Sequence, residues 1–181
     1  MTMRAEDVVE VIDVLEQGGV EVWVDGGWGV DAVLAEQTRQ HNDLDVVIGV
    51  NDAPRLVVVL ANLGYTEIRT WPDSPEVFVL SAADDRRIDV HPVRFDKQGN
   101  GVQKTEGGRE WPYPARGFTG TGSIGGRAVR CLTPEVQVLC HAGYKLKESD
   151  VHDMRALHEH FGVDLLPAQW EAIGRHEQTR E

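Results

Sequence analysis

Asp43-Leu44-Asp45 opens straight into Val46-Val47-Ile48, and this short run constrains the chain more than any other. It has the length and composition of a β-strand, whose side chains alternate between faces, so Asp43 and Asp45 share one face while Leu44 turns to the core. Two carboxylates side by side repel each other, and neither capping nor turn chemistry asks for them inside an apolar strand. A divalent cation removes the repulsion. One helix earlier, Gly26-Gly27 follows the apolar segment Val20–Val24. Bare glycines at a strand-to-helix turn let backbone N–H groups approach a phosphate closely. Together the segment from Asp25 to Ile48 reads as a Mg²⁺ site beside a phosphate-binding loop.

The rest of the chain supplies the frame. Val8, Val11, Ile12 and Leu15 follow a helical period over residues 5–17, ended by Gly18-Gly19. Val30, Val33 and Leu34 mark one face of the helix after the glycine pair. A further helix starts at Asp52-Ala53-Pro54 and closes at Gly64. Glu76–Ser81 and Arg87–Val93 alternate as two strands of a hairpin around a polar turn at 83–86. From Asp96 to Gly126 glycine, proline and aromatic residues prevail, which predicts loops and short strands lining a substrate pocket. Thr133-Pro134-Glu135 is a helix start, Ser149-Asp150 opens another helix that Gly162 ends, and a short one follows Pro167. The expectation is a mixed α/β (α+β) fold, a mixed sheet flanked by helices. At 181 residues a single domain is expected, with a core over residues 1–130 and C-terminal helices over 131–181.

A third carboxylate completes phosphoryl-transfer chemistry, because such sites use another ligand or a base. Asp89, in Arg87-Ile88-Asp89-Val90, meets that need if its strand lies beside that of Asp43. Asp43 and Asp45 would then hold Mg²⁺, while Asp89 would share a metal or take a hydroxyl proton. Arg39 and His41 stand just upstream of the pair, either reaching the donor's phosphates or lying in a solvated loop. Lys145 and Lys147 are candidate phosphate contacts, with a surface position the commoner outcome. His152, His158 and His160 fit no ligand spacing and suit a polar helix face. Trp71, Trp111, Tyr113 and Phe118 are candidates to stack a base or line an acceptor pocket, or to fill core. Asp84, Asp85, Glu106 and Glu110 are candidate contacts for a cationic substrate.

The formal net charge of -12 argues against a large nucleic-acid footprint, which needs a basic surface. It suits a small cationic substrate, or a nucleotide whose charge a metal carries. Cys131 and Cys140 show no CxxC spacing, so neither zinc nor a disulfide framework is indicated. The N-terminus carries no signal pattern and no apolar run approaches membrane length, so a cytoplasmic protein is expected.

Gly26-Gly27-Trp28 followed by Thr38-Arg39-Gln40-His41-Asn42-Asp43-Leu44-Asp45 resembles the small antibiotic nucleotidyltransferases of the DNA polymerase β-like superfamily. The likeness is nearer to the lincosamide nucleotidyltransferases than to the single-domain aminoglycoside adenylyltransferases. It continues through Asp89-Val90-His91-Pro92, Trp111-Pro112-Tyr113-Pro114, Gly122–Gly126, Val129-Arg130-Cys131, His141–Tyr144 and the Asp150–Asp153 helix. The resemblance implies the nucleotidyltransferase fold and Mg²⁺, as two ions, on Asp43, Asp45 and Asp89. It further implies ATP or another NTP as donor, for which Gly26, Gly27, Trp28, Arg39, His41 and Lys145 are the candidate contacts. The acceptor it implies is a small hydroxylated, amine-bearing antibiotic. The alternatives are a toxin-type transferase acting on protein or RNA, and a non-catalytic nucleotide-binding protein. A homodimer is left open.

Overall fold

The computed structural model describes residues 2–72, 74–105 and 108–178; Glu106 lies outside them. Helix α1 (Ala5–Gln17) buries Val8, Val11, Ile12 and Leu15, the positions its period predicts. Strand β1 (Val22–Asp25) leads into α2 (Gly26–Leu34), with Asp25 accepting a hydrogen bond from Gly26 N at 2.8 Å. Strand β2 (Asp43–Gly49) and α3 (Ala53–Ala61) follow. Asp52 precedes α3 without a side-chain capping bond. Strands β4 (Ser74–Ala82) and β5 (Arg87–Phe95) form the expected hairpin.

One strand is unforeseen: β3 (Tyr65–Trp71) pairs with β4 at the sheet edge. Only Tyr65 of it is buried, so it carries no apolar alternation to betray it. The glycine- and aromatic-rich stretch contains β6 (Gly101–Lys104), β7 (Glu110–Tyr113) and β8 (Thr121–Ile124), the last paired with β9 (Arg127–Arg130). Helices α4 (Pro134–Cys140), α5 (Glu148–Phe161) and α6 (Pro167–Gln178) complete the chain. The last is a 12-residue helix, longer than the short one expected.

The strands order β1-β2-β5-β4-β3, with β6 and β7 continuing from the end of β5. The β2–β5 pair is parallel and its neighbours are antiparallel, so the sheet is mixed. Its two faces differ. Val22, Val24, Leu44, Val46, Ile48, Ile88 and Val90 point to the main core with α1 and α3. Trp23, Val47 and Val93 point the other way, onto Tyr113, Leu132 and Val136. Alternation therefore carries Asp25, Asp43, Asp45, Asp89 and His91 to this second face, on the same strands as the smaller apolar patch. A third cluster joins α2 to α4, α5 and α6 through Val30, Val138, Met154, Leu157 and Ile173. Among the described residues no helix is long and apolar enough to cross a membrane.

Candidate active site

Asp25 pairs in register with Asp45, and Asp45 with Asp89. Three carboxyl groups thus form a row across three adjacent strands, spaced by about 4.8 Å of strand separation, with Asp43 one pleat away on the same face. Burial and the charge of Asp45 push the Asp43 carboxyl upward. Burial, then Asp45 and Asp43, raise Asp89 to about 6. Asp25, fully enclosed, is raised chiefly by burial against the counter-pull of His91. These shifts are the electrostatic signature of carboxylates gathered with too little positive charge. The sequence reading missed Asp25 as a member of the row, because its place as the α2 N-cap explains it locally.

The glycine pair does more than bare a helix end. Gly26 has φ +58°, and a Cβ there would lie 2.2 Å from Asp45 Oδ2. A Cβ on Gly27 would lie 2.2 Å from Arg39 Nη2 and 2.5 Å from His41 Nδ1. Both glycines therefore leave room for the side chains that surround them, as well as for a phosphate. Asp31 of α2 then fixes the loop before β2. It accepts from Thr38 N at 3.0 Å and Thr38 Oγ1 at 2.7 Å, and lies 2.5 Å from His41 Nε2. Arg39 Nε and Nη2 grip Asp153 of α5 at 2.8 and 2.6 Å. Asp153 is wholly buried.

These elements enclose a cleft of about 650 Å³, lined by Asp25, Gly26, Gly27, Arg39, His41, Asp43, Asp45 and Asp89 on one side. Gln103, Trp111, Tyr113, Tyr144 and Lys147 are among the residues of the remaining wall. Two expected nucleotide contacts fall elsewhere. Trp28 is buried, its ring 4.5 Å from that of His41; it packs behind the loop and is not on the cleft wall. Lys145 borders a neighbouring hollow with Arg175 and His176. The lysine that lines the cleft is Lys147, which N-caps α5. Arg39 reaches the cleft, yet its guanidinium is committed to Asp153.

Other expectations resolve simply. His152 meets Thr38 Oγ1 at 3.1 Å, and His158 Nδ1 lies 2.9 Å from the Val163 carbonyl. His160 packs on Phe161. Phe118 joins Trp23 and Phe95 in an aromatic cluster, and Trp71 lies on edge strand β3. Asp84 pairs with Arg86, and Asp85 and Glu110 are exposed.

The donor set fits Mg²⁺. Among the described residues no three His, Cys, Asp or Glu side chains close into a ready-made cage. Mg²⁺ characteristically takes one or two carboxylates and completes its octahedron with water and phosphate oxygens. Hard oxygen donors raised by burial first and by neighbouring carboxylates second, as Asp43 and Asp89 are, meet that description.

The family described as aminoglycoside-2''-adenylyltransferase matches residues 7–157. The chain belongs to that family. It is 29% identical over 153 residues to a lincosamide resistance protein of Staphylococcus haemolyticus, an alignment spanning 84% of this chain and 92% of the relative. It is 24% identical over 130 residues to a 2''-aminoglycoside nucleotidyltransferase of Escherichia coli, covering 72% and 68% of the two chains. The lincomycin-bound lincosamide antibiotic adenylyltransferase LnuA superposes with a TM-score of 0.74 at 27% identity, over 87% of this chain and 98% of that one. The complex of ANT(2'')-Ia with adenylyl-2''-tobramycin shares the fold, with a TM-score of 0.69 at 19% identity over 87% and 89% of the chains. The protein is accordingly a nucleotidyltransferase, an enzyme class that uses a nucleoside triphosphate and a divalent metal. This removes the non-catalytic alternative.

Proposed function

We propose that the enzyme transfers AMP from ATP to a hydroxyl of a lincosamide, inactivating the drug. The observation that carries the reaction is the Asp25–Asp45–Asp89 row with Asp43 beside it, facing one cleft at the tip of α2. Asp43 and Asp45 are the proposed Mg²⁺ ligands, with Asp89 a ligand, a base or both. Bound there, one or two Mg²⁺ ions would neutralise the triphosphate and orient it for in-line displacement. The amides at Gly26 and Gly27, with Lys147 and His41, would cradle its phosphates. Asp89 would take the proton of the acceptor hydroxyl as its oxygen bonds to the α-phosphorus and the bond to pyrophosphate breaks. A base near neutrality suits that task, and in the metal-free site burial with the charges of Asp45 and Asp43 raises Asp89 to about 6.

The lincosamide reading is supported by the relative of greater identity and nearly complete coverage. An aminoglycoside acceptor is the second reading, supported by the family match and the Escherichia coli relative. Both acceptors are hydroxylated amines, and the acidic cleft suits either. The deciding experiment incubates the enzyme with Mg²⁺-ATP and a panel of lincosamides and aminoglycosides, following pyrophosphate release and product mass. A lincosamide gaining one AMP supports the first reading. Adenylylated aminoglycoside alone moves the assignment to the second, and labelling of protein or RNA alone refutes both.

A further inference from the structure

Gln103 is 5% exposed, and its amide is used at both ends. Tyr113 Oη donates to Gln103 Oε1 at 2.9 Å, and Gln103 Nε2 lies 3.1 Å from His91 Nδ1. His91 Nε2 in turn lies 3.2 Å from Asp45 Oδ1. Because Tyr113 Oη donates to it, the amide oxygen of Gln103 is turned toward Tyr113. The amide nitrogen is then left facing His91 Nδ1, which must accept. An imidazole that accepts at Nδ1 carries its hydrogen on Nε2, directed at Asp45.

From this chain of contacts we propose that Gln103 and Tyr113 are positioning residues. They hold His91 in its Nε2–H tautomer so that it fixes one oxygen of Asp45 and aims the carboxylate into the cleft. This deepens the metal-site reading above and rests on it. A ligating group oriented by a hydrogen-bonded partner, itself oriented in turn, is how protein sites tune metal affinity, and losing such a partner characteristically costs ten- to a hundredfold in affinity. The topology makes the chain of contacts specific. Asp89 and His91 share one face of β5, and Gln103 lies on β6, the continuation of the sheet. Tyr113 pairs across β7 with Gly101, two residues before Gln103. Without β6 and β7 the row Asp25–Asp45–Asp89 would hold the His91 ring only at Nε2, through Asp45, and leave Nδ1 unset.

The test uses Gln103→Leu and Tyr113→Phe, read on full-length protein in two ways. First, ¹⁵N shifts of the metal-free protein, taken where His91 is neutral, report its tautomer. The wild type should show a hydrogen on Nε2 alone, and Gln103→Leu a mixture. Second, Mn²⁺ binding followed by electron paramagnetic resonance should weaken about tenfold or more in Gln103→Leu and less in Tyr113→Phe. An unchanged tautomer, or Mn²⁺ affinity within twofold of wild type in both variants, overturns the proposal. Wild-type protein that binds no Mn²⁺ overturns the metal-site reading itself. If Gln103→Leu fails to fold, Tyr113→Phe decides, since it removes one oxygen and leaves the ring packing intact.

Discussion

Gly26 shows how one atom can govern the site. Its backbone is left-handed, and the space where a Cβ would stand holds the Asp45 carboxylate. Gly26→Ala must displace Asp45 or the α2 entrance. Displacements near 1 Å cost roughly a hundredfold in such reactions, so kcat/KM should fall by about that factor while the fold, read by circular dichroism, persists. Activity within threefold of wild type would show that Asp45 tolerates the shift. Asp89→Asn separates two roles. As the base, its loss should lower kcat by roughly 10²- to 10⁴-fold with Mg²⁺-ATP affinity, measured by calorimetry, little changed; a parallel loss of affinity would make it a ligand. Asp43, Asp45 and Asp89 were legible from sequence because charge inside an apolar strand has no structural excuse, whereas Asp25 passed as a local helix cap. Gln103 was not. Gly101-Val102-Gln103-Lys104 suggests that Val102 turns inward, whereas the structure buries Gln103 and leaves Val102 half-exposed. A buried amide satisfied by two distant side chains leaves no periodic trace.

Helix α5 is bound to the reaction centre through Arg39 and Asp153, where a bidentate pair joins the loop before β2 to a fully buried carboxylate. His152 to Thr38 adds a second tie from the same helix. Asp153→Ala leaves Arg39 without its partner and should cost on the order of 3 kcal/mol in denaturant unfolding. It should also raise KM for ATP more than it lowers kcat, because the loop lines the nucleotide side of the cleft. Stability loss with no change in KM would confine the pair to packing. Adjacency to Asp43 suggested either a phosphate contact or a solvated loop for Arg39; the structure keeps it on the cleft wall and adds a partner 114 positions away. Strand and helix assignments near the site were legible for the opposite reason, since period, glycines and caps act locally. Trp28 departs further from its expected place. It stands beside a phosphate loop in sequence, yet helical rotation turns it into the core behind His41.

Across the whole molecule, two sets of carboxylates respond to pH with opposite signs. Asp7 is held low by its hydrogen bond to Arg4, with Arg86 adding to it, and Glu76 by its hydrogen bond to Arg94. Groups of this kind stabilise the fold above their unfolded values, near 4, and that contribution is lost as pH falls through their lower folded values. The cleft set is reversed. An unfolded aspartate ionises near pH 3.9, whereas folded Asp89 ionises at about 6. Between those values the folded chain holds more protons than the unfolded one, so stability falls as pH rises through the window. Asp43 and Asp25 are raised as well; His91, where burial is overcome only by the Asp45 hydrogen bond together with the charges of Asp45, Asp25 and Asp89, is also raised, and its contribution is lost in the same direction at higher pH. For Asp89 alone the loss is at most about 3 kcal/mol, or several degrees in a chain of this size. The metal-free protein should therefore melt lower at pH 7.5 than at pH 5. Asp89→Asn, with no charge to develop, should flatten part of that fall. Mg²⁺ should raise the midpoint at pH 7.5 and do little at pH 5, where protons already occupy the site. Differential scanning calorimetry with and without Mg²⁺ at both pH values checks all three. A metal-free midpoint that rises from pH 5 to pH 7.5, or a Mg²⁺ effect equal at both, would mean that the carboxylate row does not store the repulsion its geometry implies.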